Sequence, residues 1–229
     1  MSNGAQQLRV MTYNVRSLRD DVGAIARVVR RNAPDVLLVQ EAPRFLRWRS
    51  KRAALARECG MVVATTDRPG GLCIFTSLGV DLKSTRFTLL PKRKGRHQRA
   101  MTAAIVTHDG VAWRVVSTHL STDPGERQWH LPAMHSALAL DGDIPLVLGG
   151  DLNEEPNGAV FSELTASYQD CFAVAGTGDG NTSPAAEPRR RIDAILADKS
   201  LTVVSCEAVG GEGVDVASDH RPVLAVLSR

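Results

Sequence analysis

The chain reads LVLGGDLN from Leu146 to Asn153, an apolar run that ends in two glycines and polar residues. The run Leu146 to Leu148 is typical of a short buried β-strand. Gly149-Gly150-Asp151 indicates a tight turn, and glycine also lets a backbone come close to a phosphate group. The stretch therefore predicts a buried strand that presents Asp151 and Asn153 where it ends.

Apolar runs bordered by polar residues recur along the chain. The polar residues at the other runs are Asn14, Gln40-Glu41, His119, Asp193 and Asp219-His220. Strand ends are rigid, and loops that leave one edge of a sheet can gather side chains from distant parts of the chain. Carboxylate and amide oxygens suit Mg²⁺ or Mn²⁺, and histidine suits proton transfer. If the strand ends meet at one edge, the pattern predicts a hard-cation site beside a proton-transfer group.

The six segments that carry these polar residues contain short motifs, which follow one another along the chain in a characteristic order. They are TYN at 12–14, QE at 40–41, STHL at 117–120, GDLN at 150–153, RID at 191–193 and SDH at 218–220. They resemble the TxN, QE, THL, GDxN, RxD and SDH motifs of the endonuclease/exonuclease/phosphatase superfamily. One GDxN or SDH motif has little specificity, but six in order are specific. The resemblance extends from Leu8 to Leu227 and implies the deoxyribonuclease-I-like fold.

Helices interrupt only some of the connections between the predicted strands. We predict helices from Asp20 to Arg31, from Arg47 to Cys59, and after the capping sequence at 123–126. Pro132 should bend or interrupt the third helix. Residues 176–190 are rich in Gly, Pro, Ser and Thr and are predicted to form a loop.

This pattern favours an α/β (α+β) sandwich, in which two packed, mainly antiparallel β-sheets are flanked by helices. We expect one domain over residues 1–229, with its core at about 8–227.

The resemblance implies a site for Mg²⁺ or Mn²⁺. Glu41 would be the principal metal ligand, and Asn14 would support both the metal and the phosphate. Asp219 would add a further metal ligand.

The resemblance also implies the catalytic groups. Asp151 would orient or deprotonate the attacking water, and Asn153 would hold either the phosphate or Asp151 itself. His119 and His220 would contact phosphate oxygens, and Asp193 would accept a hydrogen bond from His220. His220 would act either as a cation that stabilises the transition state or as a general base. The sequence is compatible with both roles of His220.

Four further residues are expected to support the site. They are Thr12, Gln40, Arg191 and Ser218, and Arg191 would orient Asp193 or the local backbone. Residues that contact metal or substrate need hydrogen-bonded partners to hold them in place. The remaining histidines match no motif and are expected to lie on the surface or in the core; they are His97, His108, His130 and His135.

The expected reaction is hydrolysis of a phosphodiester of nucleic acid or nucleotides by in-line attack of water. Alternatives are a phosphatase or phosphodiesterase for a small-molecule or lipid head-group phosphate, and a catalytically silent phosphate-binding module. Basic clusters at 44–52, 92–99 and 189–191 suit a polyanionic backbone, but such runs are also ordinary solvated faces. A lipid phosphodiesterase should carry an exposed apolar hairpin, and none is predicted.

Composition sets broad limits on function. Aromatic residues make up 4% of the 229 residues, which argues against a site built on stacked bases. The formal net charge of +3 is compatible with anionic substrates. The four cysteines form no CxxC pair, which argues against structural zinc.

The polar start from Met1 to Gln7 and the shortness of the apolar runs predict a cytoplasmic protein without a membrane span. We expect a monomer.

Overall fold

Two β-sheets pack face to face in this protein, and helices cover their outer faces. The structure is a computed structural model that describes residues 6–229, so most of the polar start lies outside the described residues. The strands are, in chain order, β1 (Gln7–Asn14), β2 (Val36–Gln40), β3 (Val62–Val63), β4 (Cys73–Thr76), β5 (Val80–Leu89), β6 (Ala100–His108), β7 (Val111–His119), β8 (Leu146–Asp151), β9 (Tyr168–Asp170), β10 (Gly176–Thr177), β11 (Asp193–Asp198), β12 (Thr202–Ala208) and β13 (Val223–Ser228).

Both sheets are mixed and mainly antiparallel. The first has the order β10-β12-β13-β1-β2-β4-β3, and the second has the order β5-β6-β7-β8-β11-β9. The pairs β1–β2, β7–β8 and β10–β12 are parallel, and the other pairs are antiparallel. The predicted fold class, a sandwich of two packed sheets flanked by helices, is confirmed.

An apolar core fills the space between the sheets. Leu38 on β2 and Val10 on β1 belong to the same buried cluster as Trp113 on β7 and Val147 on β8. The sheets approach so closely at Gly149 that an added Cβ would lie 2.7 Å from the Cδ1 of Leu38. A larger residue at this position would force the sheets apart, since protein interiors are close-packed.

Six α-helices lie within the described residues. They are α1 (Val22–Asn32), α2 (Trp48–Glu58), α3 (Pro124–Leu138), α4 (Ala159–Ser167), α5 (Cys171–Ala175) and α6 (Val214–Ala217). Helix α1 is capped by Asp21, whose side chain accepts a hydrogen bond from the amide of Ala24. Helices α1 and α2 bury apolar side chains on the outer face of the first sheet, and α3 and α4 do so on the second. No helix within residues 6–229 is long and apolar enough to cross a membrane.

The structure differs from the sequence expectations in several elements. Helix α3 continues through Pro132 to Leu138 without interruption. The side chain of Asp123 caps α3 through the amide of Glu126, but the Glu126 carboxylate accepts a 2.6 Å hydrogen bond from Ser121 instead of returning to Asp123. Helices α4, α5 and α6 and the short strands β9 and β10 were not predicted, and β10 forms the start of the segment that was expected to be a loop.

Candidate active site

The ends of five strands meet at one edge of the sandwich. The residues at these ends are Asn14 on β1, Gln40 on β2, His119 on β7, Asp151 on β8 and Asp193 on β11. Parallel pairing places Asn14 beside Gln40 and His119 beside Asp151. Antiparallel pairing places the first residue of β11, Asp193, beside Asp151. The sheet register thus brings together polar groups that are far apart in the chain.

Asp151 is the centre of this group and is 2% exposed. Its Oδ2 accepts a 3.0 Å hydrogen bond from Nδ2 of Asn14, and the Nε2 atoms of His119 and His220 lie 3.3 and 3.9 Å from the same oxygen. Its Oδ1 accepts a 2.9 Å hydrogen bond from the amide of Asn153. The carboxylate is therefore held in one orientation from both sides.

Burial raises the pKa of the Asp151 carboxyl, because the charged form loses its hydration. A proton on His119 would lower this pKa, the charge of Asp193 raises it, and the charge of His220 and the hydrogen bond from Asn14 lower it. The net effect is a raised pKa. A carboxylate with a raised pKa is a stronger proton acceptor than a carboxylate in water.

His220 is held by Asp193 on the side away from Asp151. Its Nδ1 donates a 2.8 Å hydrogen bond to Oδ2 of Asp193, and the hydroxyl of Thr182 donates a 2.6 Å hydrogen bond to the same oxygen. Burial lowers the pKa of His220, but the charge and hydrogen bond of Asp193 and the charges of Asp151 and Asp219 outweigh it and raise this pKa to about 9. The imidazole is therefore a cation at neutral pH.

His119 has the opposite protonation state. Burial lowers its pKa to about 3, against the attraction of the Asp151 charge, and the positive charges of Arg99, His220 and Arg44 lower it further. At neutral pH this imidazole is uncharged. Asp151 thus lies between one neutral and one cationic histidine.

Glu41 and Asn14 form a second pair of polar groups at this edge. The Nδ2 of Asn14 lies 3.4 Å from Oε1 of Glu41, and its Oδ1 accepts a 3.1 Å hydrogen bond from the amide of Arg16. Glu41 has a φ of 51°, a left-handed conformation that is uncommon for residues other than glycine. It lines a cavity of about 250 Å³ together with Arg99 and His119.

Asp219 and Asn153 lie at the border of the group. Oδ2 of Asp219 lies 3.2 Å from Nε of Arg16, and its side chain is 42% exposed. The structure therefore places Asp219, expected as a metal ligand, in an ion pair. Asn153 holds Asp151 through its backbone amide, while its side chain donates a 3.0 Å hydrogen bond to the carbonyl of Leu120.

Thr12, Gln40 and Ser218 lie behind the site and hold its backbone. The hydroxyl of Thr12 donates a 3.2 Å hydrogen bond to Oε1 of Gln40, whose Nε2 donates a 2.9 Å hydrogen bond to the hydroxyl of Ser117 on the opposite sheet. The hydroxyl of Ser218 donates a 2.7 Å hydrogen bond to the carbonyl of Asn14. Of these buried bonds, the one between Gln40 and Ser117 connects the two sheets directly beneath the polar groups.

Arg191 supports a different part of the molecule from the one expected. Its guanidinium donates hydrogen bonds of 3.1 and 2.7 Å to the carboxylate of Asp170 and lies over the rings of Phe161 and Phe172. Arg191 therefore ties the loop before β11 to α4 and α5. Thr182 holds Asp193 instead, through the 2.6 Å hydrogen bond to its Oδ2.

Sequence reasoning missed Thr182 and Arg99. Thr182 lies in the irregular segment between β10 and β11, where no periodicity marks its contacts. Arg99 ends the basic cluster at 92–99 and precedes β6 directly, which is the available signal. Burial lowers the pKa of its guanidinium, and the charges of Asp151 and Glu41 raise it. This side chain therefore lies close to the acidic centre.

Two packed sheets with carboxylates, an amide and histidines at one edge define a protein of the deoxyribonuclease-I-like class. The profile of the Endonuclease/Exonuclease/phosphatase family matches residues 11–220, and the chain belongs to this family. Enzymes of this family are phosphoesterase hydrolases.

Solved structures with this fold share little sequence with the chain. An endonuclease/exonuclease/phosphatase from Bacteroides vulgatus is 19% identical with a TM-score of 0.80, and the match covers 97% of this chain and 98% of that one. A mannosyl-6-phosphatase from Bacteroides thetaiotaomicron is 16% identical with a TM-score of 0.81, over 97% and 100%. Truncated TDP2 from Caenorhabditis elegans is 17% identical with a TM-score of 0.73, over 97% and 98%. At these identities the likeness shows the fold alone. No curated protein sequence matches the chain.

The family implies a divalent cation, and the residues present fit one. The contact of the Glu41 carboxylate with the Asn14 amide is long, 3.4 Å, so lone pairs of Glu41 remain free for a metal. Oδ1 of Asp193 is buried and accepts no hydrogen bond from residues 6–229, which is costly unless another group satisfies it. One oxygen of Asp151 and one oxygen of Asp193 also lie within 4.8 Å of each other. These carboxylate oxygens suit a hard cation such as Mg²⁺ or Mn²⁺.

Proposed function

We propose that the protein is a divalent-metal-dependent phosphoesterase that hydrolyses phosphodiester bonds of nucleic acid or nucleotides by in-line attack of water. The convergence of three side chains on one oxygen of Asp151 supports this proposal most directly. Asn14, His119 and His220 place nitrogen atoms 3.0, 3.3 and 3.9 Å from that oxygen. Such a fixed carboxylate can orient a water molecule for attack, and correct orientation lowers the barrier to reaction substantially.

Asp151 is the proposed acceptor of the proton from the attacking water. Its raised pKa makes it a better base than an exposed carboxylate. The hydrogen bonds from Asn14 and from the amide of Asn153 fix both of its oxygens, so it meets the water in one geometry.

His220 is the proposed stabiliser of negative charge on the phosphate oxygens. Its hydrogen bond to Asp193 favours the imidazolium form, and a cation already in place needs no reorganisation when charge develops. A general base must be uncharged before it acts, so the raised pKa of His220 favours this role over proton abstraction. His119, which is neutral, would orient the phosphate without adding charge. A divalent cation near Glu41 would supply Lewis acidity toward the phosphate oxygens.

The charges around the cavity favour an anionic substrate. Arg44 and Arg99 line the same cavity of about 250 Å³ as Glu41 and His119. Guanidinium groups suit phosphate because they present several donors in a planar fork. These residues would bind the non-bridging oxygens or a neighbouring phosphate.

A small phosphate ester is the second candidate for the substrate. The modest volume of the cavity, about 250 Å³, suits a small ligand, and one protein of the same fold is a mannosyl-6-phosphatase. A catalytically silent module is the third candidate. It is disfavoured because Glu41, Asp151, Asp193 and His220 are all present and converge with oriented partners.

A substrate panel with matched variants tests the proposal. Bis-p-nitrophenyl phosphate, DNA, RNA, inositol phosphates and sphingomyelin would be incubated with Mg²⁺, Mn²⁺ or EDTA. Turnover should require metal, should be lost in Glu41→Ala and His220→Ala, and should persist in the controls Glu163→Ala and His135→Ala. The controls remove a glutamate and a histidine that pair with each other at 3.5 Å in α4 and α3. Activity that survives Glu41→Ala and His220→Ala would remove this site, and no turnover at all would favour the silent module.

We further propose that residues 1–229 act as one domain, with its core at about 8–227, in a cytoplasmic monomer. Leu8 and Leu227, near the two ends of the chain, belong to the same buried cluster between the sheets. A single cooperative unfolding transition and the mass from light scattering would test the domain and the monomer.

A further inference from the structure

A second cavity adjoins the cavity that Glu41, Arg99 and His119 line. It measures about 440 Å³, whereas the cavity at Glu41 and His119 measures about 250 Å³. The two cavities share the side chains of Arg44, Phe45, His97 and Gln98, so they lie next to each other along these residues. Any substrate bound at Glu41 and His119 can therefore extend into the larger cavity, which we call the outer groove.

The outer groove is strongly positive. Its remaining basic side chains are Arg68, Lys92 and Arg96, and its lining contains no carboxylate. Arg96 is already paired with Asp123 at 2.8 Å. Within residues 6–229, no carboxylate pairs with Arg44, Arg68 or Lys92. Uncompensated cations that line a groove attract a polyanion.

Phe45 is the aromatic side chain at the junction of the two cavities, and it is 69% exposed. The guanidinium of Arg44 lies 5.5 Å from the centre of its ring. A large apolar ring that remains in water beside a binding groove is an available stacking surface. An exposed aromatic ring offers a face to any unpaired base, whatever its identity.

We propose that the outer groove binds an unpaired nucleotide next to the scissile phosphate, with its base stacked on Phe45 and its phosphate near Lys92. This inference rests on the proposed function and narrows its substrate class to single-stranded nucleic acid. A base in a duplex is already stacked and paired, so it cannot use the face of Phe45 without leaving the helix. The low aromatic content of the chain is therefore a poor guide to base stacking, because the position of one aromatic ring matters more than the number of rings.

Binding without catalysis gives the sharpest test. The affinity of a fluorescently labelled single-stranded oligonucleotide would be measured by anisotropy in EDTA for wild type, Phe45→Ala, Lys92→Gln and the control Leu46→Ala. Leu46 is 82% exposed in the same loop and lines neither cavity. Phe45→Ala should weaken binding on the order of tenfold. Lys92→Gln should reduce the slope of log affinity against log salt by about one, and Leu46→Ala should bind like wild type.

Parallel assays separate this inference from the proposed function. In Mg²⁺, Phe45→Ala should raise KM for the oligonucleotide more than it lowers kcat. Absence of turnover in wild type would contradict the proposed function, while the EDTA affinities would still decide on the groove. Equal affinities for Phe45→Ala and Leu46→Ala, or tighter binding of a duplex of the same sequence, would overturn the inference. It would also be overturned if wild type bound anionic lipid vesicles more tightly than the oligonucleotide and both variants lost that binding.

Discussion

The ring of His220 and the carboxylate of Asp193 are joined by a 2.8 Å hydrogen bond between Nδ1 and Oδ2, on the side of the ring that faces away from Asp151. The same oxygen of Asp193 accepts a 2.6 Å hydrogen bond from Thr182. Two donors thus fix the carboxylate, and the carboxylate in turn fixes the ring. The orientation and the charge of His220 therefore depend on a residue that itself need not touch the substrate.

Asp193→Asn should reduce kcat by about two orders of magnitude without unfolding the protein, because it weakens a preorganised charge at the site. The amide removes the negative charge that raises the pKa of His220, so the imidazolium becomes less populated at neutral pH. The nitrogen chemical shifts of His220 would report the lowered pKa directly.

Thr182→Val is the companion variant. It removes the 2.6 Å hydrogen bond to Asp193 and three longer ones of the same hydroxyl, at 3.3–3.4 Å, but keeps the charge of Asp193. It should therefore reduce kcat by only about tenfold. The two variants could also lose activity to a similar extent while the pKa of His220 stays unchanged in Asp193→Asn. That result would show that the negative charge of Asp193 does not sustain kcat.

Arg191→Leu should destabilise the fold far more than it changes the chemistry. The side chains of Arg191 and Asp170 are 13% and 7% exposed, so the variant leaves a buried carboxylate without its partner. Breaking such a pair costs about 3–5 kcal/mol in the free energy of unfolding. Urea denaturation would measure this loss, and kcat of the folded fraction should stay close to that of wild type.

Arg189→Gln provides the control for that measurement. Arg189 pairs with Glu187, but both side chains are 74% exposed, and exposed pairs contribute about 0–1 kcal/mol. If Arg191→Leu is no less stable than Arg189→Gln, the buried pair does not hold the loop before β11.

Sequence patterns predicted those site residues whose positions depend on a nearby strand end. The ends of β2 and β7 were located because apolar runs stop at Gln40 and His119, and strand ends place polar groups at a sheet edge. Thr182 and Arg99 were missed, and Arg191 was expected at Asp193 instead of Asp170, because their contacts depend on how separate loops meet in three dimensions. A side chain in a loop carries no periodicity that would reveal its partner.

Gly150→Ala should destabilise the end of β8. A Cβ at this position would lie 2.0 Å from the carbonyl oxygen of Thr118, on the neighbouring strand that ends in His119. Backbone atoms cannot move aside as a flexible side chain can, so the strands must separate, at about 1–3 kcal/mol or more. The expected result is a lower midpoint of thermal unfolding together with lower activity, since His119 and Asp151 are paired across these strands.

Gly142→Ala is the control for Gly150→Ala because the nearest atom to an added Cβ there is 3.6 Å away. Equal midpoints for the two variants would contradict the close approach.

The pH dependence of stability should reveal the charge of His220. Its pKa is about 9 in the folded protein and about 6.5 in an unfolded chain, so the folded state binds the proton more tightly. The resulting stabilisation is fully present below about pH 6.5 and is lost as the pH rises through about 9. The size of this stabilisation is on the order of 3 kcal/mol.

Urea unfolding of wild type and His220→Gln in EDTA between pH 6 and pH 10 would isolate this contribution, because other titrating groups are common to both proteins. The difference between the two free energies of unfolding should shrink as the pH rises. A constant difference over this range would mean that His220 is neutral in the folded protein, and the general-base role would then become the better account of this residue.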